Sequence, residues 1–65
     1  MEKTYWVARN MFGNLHVFND EPFRIGTIFC RKNIYSKFEY IPAEYTFLFA
    51  DVTWDNSPKK IVVDI

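Results

Sequence analysis

Residues 4–19 read T-Y-W-V-A-R-N-M-F-G-N-L-H-V-F-N, and this stretch decides the fold. Thr4 to Asn10 and Leu15 to Asn19 are rich in β-branched and aromatic residues, which fit a pleated, half-buried surface. Between them, Asn10 to Asn14 carries Gly13, which supplies the positive φ of a type I turn followed by a bulge. The reading is a β-hairpin with Asn10 facing Asn14. Arg9 then pairs with Leu15, Ala8 with His16, Val7 with Val17 and Trp6 with Phe18. Side chains alternate along a strand. One face therefore carries Tyr5, Val7, Leu15 and Val17, and the other Trp6, Ala8, His16 and Phe18. Both are largely apolar, whereas an antiparallel sheet usually leaves one face to water. The hairpin must be covered on both sides, or one face meets another molecule.

Beyond the hairpin, Asp20-Glu21-Pro22 breaks the chain. Phe23 to Cys30 reads as a strand with Ile25, Thr27 and Phe29 on one side. Arg31-Lys32-Asn33 reads as a polar turn, with Asn33 suited to a left-handed conformation. Ile34 to Ile41 alternates as a strand that completes a second hairpin with 23–30. Pro42-Ala43-Glu44-Tyr45 opens one helical turn or a 3-10 piece, since proline suits a first helical position. Asp55-Asn56-Ser57-Pro58 is a turn, and residues 60–65 are a final strand. The expectation is a single domain over residues 1–65, mostly β, with a small antiparallel sheet of four to five strands and at most one short helical or 3-10 element.

Composition narrows the function. A chain of 65 residues buries only about 60% of its unfolded surface, and small domains often add disulfides, metals or self-association. Cys30 is the single cysteine and His16 the single histidine. An internal disulfide is therefore excluded, and a four-ligand zinc site lacks its donors. Seven Phe, four Tyr and two Trp are the main stabilising stock, so most rings are expected in the core. Eight basic and eight acidic residues balance, which argues against non-specific nucleic-acid binding and leaves little electrostatic protection against self-association. Met1-Glu2-Lys3-Thr4 lacks the apolar region of a signal peptide, no apolar run is long enough to span a bilayer, and one unpaired cysteine suits a reducing compartment. The expected location is the cytoplasm.

Two segments carry a resemblance. W-V-A-R-N-M-F-G-N-L-H-V-F at residues 6–18 and D-V-T-W-D-N-S-P-K-K-I-V-V at residues 51–63 resemble the opening and ending of short uncharacterised proteins from gut Bacteroides-type bacteria and their phages. Met11-Phe12 departs from the charged turn usual there, and residues 23–49 match poorly. The resemblance implies a compact β-domain of bacterial or phage origin and transfers no site.

Chemistry-bearing residues are few. His16 has no Ser or Cys nucleophile near it in sequence, and reads as a packed or half-exposed sheet residue. Cys30, beside Arg31 and Lys32, reads as a small buried hydrophobe. Asp51, Asp55 and Asn56 read as turn and cap residues, because the spacing of a calcium loop is absent. Trp6, Phe18 and Tyr5 with Arg9 and Arg24 suggest a stacking platform for single strands, although the motif of an RNA-recognition domain is missing. Phe12, at a turn tip, is the aromatic expected to be exposed. The functional expectation is a non-enzymatic protein-interaction module without cofactor or metal. It self-associates as a homodimer through a surface at Trp6, Phe12, His16 and Phe18, or through edge strand 60–65. A single-stranded nucleic-acid-binding β-domain is the alternative.

Overall fold

In the computed structural model, which describes residues 1–64, strand β1 (Glu2–Arg9) is the hub. It pairs antiparallel with β2 (Leu15–Phe18) on one side and β6 (Lys59–Asp64) on the other. The β1–β2 register is the one expected, from Trp6 opposite Phe18 to Arg9 opposite Leu15. Its turn closes as the glycine requires. Gly13 has φ 91° and donates its N–H to the Asn10 carbonyl at 3.1 Å. The Asn10 Oδ1 accepts from the N–H groups of Phe12 and Asn14 at 2.9 and 3.1 Å, so the buried asparagine is satisfied inside its own turn.

The central segment differs from the expected second hairpin. Residues 23–30 are not one strand: β3 (Phe23–Ile25) and β4 (Ile28–Cys30) pair with each other as a separate two-stranded sheet. Gly26, at φ 58°, and Thr27 form the two-residue connection. Glycine at the first position with positive φ is what a tight hairpin turn of the II′ type uses. The reversal puts Ile25 opposite Ile28 and Arg24 opposite Phe29, so Ile25 and Phe29 lie on opposite faces rather than together.

Residues 34–41 keep only a short strand, β5 (Phe38–Tyr40), and it pairs with β2, not with 23–30. The segment before it is a turn around Asn33. That residue does not take a left-handed conformation; its Oδ1 accepts from the N–H groups of Tyr35 and Ser36 at 2.8 and 3.1 Å. An asparagine side chain can thus replace a left-handed backbone as the turn-forming device. The buried Ser36 hydroxyl donates to Asp20 Oδ2 at 3.0 Å, tying this turn to the end of β2.

The main sheet has the order β5-β2-β1-β6. With β3–β4, the fold is mostly β and antiparallel, with six strands in two sheets and one 3-10 helix, η1 (Ala43–Phe49), entered from Pro42 as expected. Strand β6 occupies the sheet edge expected of the final segment; Ile65, the last residue of that expected strand, lies outside the described residues.

The first face of the sheet holds the core. Val7, Leu15, Ile41 and Val52 are buried, with Val17, Phe49 and Ile61 against them. Arg9, on this face, fastens the cover. Its guanidinium donates to the carbonyls of Val52 at 2.6 Å, Gly13 at 2.8 Å and Phe49 at 3.2 Å. The turn after η1 is set by Asn56 and Thr53, which exchange hydrogen bonds. Asp51 pairs with Lys59. The hydrogen bond and charge of Lys59 hold the Asp51 carboxyl below its ordinary value.

The core is not aromatic, contrary to expectation. Phe18, 2% exposed, is the one fully buried ring among the described residues and lies on the second face, Phe49 is the one aromatic packed against the first-face core, and seven of the thirteen rings are close to half exposed or more. The reason is geometric. Among the described residues, a single four-stranded sheet with one 3-10 helix as its helical cover closes over aliphatic residues of one face, and η1 itself contributes no fully buried side chain.

Candidate functional site

The second face of the main sheet is where the unpartnered apolar surface gathers. Register places Trp6 and Phe18 side by side there, with Ala8 beside His16. Strand β5 extends the face, because Tyr40 lies opposite His16 and Phe38 opposite Phe18. The His16 ring centroid is 5.4 Å from that of Tyr40, 6.0 Å from Phe38 and 6.2 Å from Phe18, and the Phe18 and Phe38 rings stack at 5.7 Å. Burial among these rings lowers the His16 pKa from its ordinary 6.5, since an apolar surround disfavours the imidazolium.

Segment 28–34 stands over this floor and leaves a cleft of about 690 Å³. Ala8, His16, Phe18 and Phe38 line one side; Ile28, Phe29, Cys30 and Ile34 line the other. That volume lies in the ordinary range for a binding pocket, roughly 300–1,000 Å³. Arg31 is the one charged side chain on its wall. Asn10 and Asn33 also reach it, but their amide oxygens are committed to turn N–H groups.

The β3–β4 hairpin is held in place by few polar contacts. The Met11 N–H donates to the Thr27 carbonyl at 3.0 Å. The Arg24 guanidinium lies 3.7 Å from the centroid of the Trp54 ring, donates to the Trp54 carbonyl, and faces Phe29 at 5.3 Å. Phe29 meets Trp54 edge-on at 5.5 Å. Arg24 is therefore a clasp between the hairpin and the 51–58 loop, and Arg9 is committed to three carbonyls. Tyr5 lies on the opposite face from Trp6 and Phe18. The residues suggested for a stacking platform are thus not assembled on one surface.

Of the four residues expected to form an interaction surface, Trp6 and His16 are half-buried on the second face. Phe18 is a buried floor residue rather than a contact surface. Phe12 is 73% exposed at the turn tip, as its position in the hairpin implied. The structure adds Phe38 and Tyr40, about half exposed, which residue-by-residue reading missed because their pairing with β2 is long-range. It also adds Ile28, Phe29 and Cys30, whose placement depends on the Gly26-Thr27 reversal, a turn signal present in the sequence. Chemically the cleft offers an imidazole and a thiol among apolar groups, without a carboxylate in its lining to orient the imidazole. Among the described residues no group of three or more His, Cys, Asp or Glu converges as a metal site, and no helix is long and apolar enough to cross a membrane.

The fold and this cleft define a small antiparallel β-domain with one closed face and one apolar, partly open face. Compared with protein-family models, curated proteins and solved structures, the chain matches none.

Proposed function

We propose that this chain is a small, non-enzymatic protein-interaction module that self-associates. One observation carries the reading: the second face of the sheet stays open along β5, where Phe38 and Tyr40 are 48% and 53% exposed, and the hairpin above it exposes Phe23, Ile25 and Ile28 as well. Phe38 and Ile28 line the same cleft, and exposed apolar surface gathered at a cleft is a common mark of interaction sites. Zero formal net charge adds no long-range repulsion between copies.

Size-exclusion chromatography with light scattering, with the 260/280 nm ratio recorded across the peak, tests this. A dimer or larger species without nucleic acid supports self-association. A monomer at all concentrations refutes it and assigns the open face to a different protein. Strong 260 nm absorbance that nuclease removes would instead favour the single-stranded nucleic-acid reading.

A further inference from the structure

Strand β6 is an edge strand, paired on one side with β1 and unpaired on the other. Its sequence, Lys59-Lys60-Ile61-Val62-Val63-Asp64, has cations at one end, an acid at the other and aliphatic residues between. An antiparallel copy of the same strand reverses that order. We propose that two copies of the chain join β6 to β6 about a two-fold axis through Val62. This rests on the self-association reading above, but places the contact at the β6 edge and leaves the open second face to a further partner.

Geometry selects the register. Paired residues of a continuous sheet share a face, and side chains alternate faces along each strand. A two-fold axis perpendicular to the sheet preserves the faces, so only registers that pair residues of equal parity are allowed. Centring on Ile61 places Lys60 against Val62 and Lys59 against Val63, with no charge matched. Centring on Lys60 sets that lysine against its own copy. Centring on Val63 sets Asp64 against Val62. Centring on Val62 sets Lys60 against the second copy's Asp64 twice, Ile61 against Val63 twice, and Val62 against itself. It is the register in which opposite charges face each other and aliphatic residues meet aliphatic residues.

Two features within the chain favour this. Lys59 is already engaged by Asp51, whereas Lys60 has no ion pair among the described residues. On the β1 side, Asp64 lies directly opposite Glu2. Like charges opposite each other weaken a strand pair, and among the described residues Asp64 makes one ion pair, with the amino group of Met1 at 3.3 Å. The second copy's lysine would offset that repulsion. The product is a continuous eight-stranded sheet with both apolar second faces on the same side, so the dimer presents two clefts to one partner surface.

Charge exchange tests this without disturbing the core. Lys60→Asp and Asp64→Lys are each purified, and dimerisation is measured alone and as an equimolar mixture by light scattering and native mass spectrometry. Each variant alone faces like charges across the axis, and its dimer should weaken by about tenfold or more. In the mixture the charges are complementary again, and a heterodimer of wild-type strength should form; recovery on mixing also shows that both variants are folded. Variants that dimerise like wild type overturn the β6 pairing while leaving self-association standing. Variants that are monomeric alone and stay monomeric when mixed overturn it too. A monomeric wild type removes both proposals together.

Discussion

Replacing Arg9 with methionine should remove a large part of the stability of this domain. The guanidinium holds three backbone carbonyls, and those of Val52 and Phe49 are in partly buried bonds while that of Gly13 is exposed. A hydrogen bond to a charged group contributes roughly 1.5–3 kcal/mol when shielded from water. Allowing little for the exposed bond and discounting the other two for partial solvation gives a loss of about 2–4 kcal/mol. Methionine keeps an apolar stem against the first face, so the change isolates the polar head. A 65-residue domain has a total stability on the order of 3–10 kcal/mol. The substitution should therefore lower Tm by roughly 10–25 °C. Urea and thermal melts followed by circular dichroism, at one fixed protein concentration because association shifts apparent stability, supply the measurement. Arg9→Lys should recover less than half of the loss, since an ammonium on a flexible stem does not reproduce the fork. A methionine variant within about 0.5 kcal/mol of wild type, the usual range of a neutral surface change, would refute the view that the 43–52 cover hangs on this side chain.

Other substitutions probe the remaining links. Leu15, 0% exposed, should cost about 2–5 kcal/mol on replacement by alanine, enough in so small a core to leave much of the chain unfolded in a urea titration. Gly13→Ala should cost on the order of 1–3 kcal/mol. The added Cβ would meet nothing within 4 Å, so the loss is backbone strain at φ +91° and not a clash, and a melt equal to wild type would contradict it. Stability should fall with acid in a His16-dependent way. Because the folded pKa is lowered from 6.5, the unfolded chain takes up the proton first. The contribution is complete above pH 6.5 and is lost as pH falls through the lowered folded value; His16→Gln should flatten that part of the profile, which NMR titration and melts between pH 7 and 5 would reveal.

Much of the molecule is legible in sequence, and the limit is physical. The hairpin, its register, the alternation that makes both faces apolar, the glycine in its turn and the exposed Phe12 follow from local rules of period and φ, which act within a few residues. The proline-led 3-10 element and the final strand are readable for the same reason. Pairing between distant segments is not local. Strand β5 could have paired with 23–30 or with β2 on its own pattern, and only the completed sheet chooses. With that choice Phe38 and Tyr40 join His16 and Phe18, and residues 28–34 become the wall of a cleft. Composition correctly marks the aromatic rings as apolar area but cannot state where that area goes. With one sheet face closed by η1 and the 50–52 segment over aliphatic side chains, Trp6, Phe18, Phe38 and Tyr40 gather on the other face and Phe29 on its roof, while Phe12, Tyr45 and Phe47 stand exposed elsewhere, so the tertiary structure decides that the aromatic surface remains partly open.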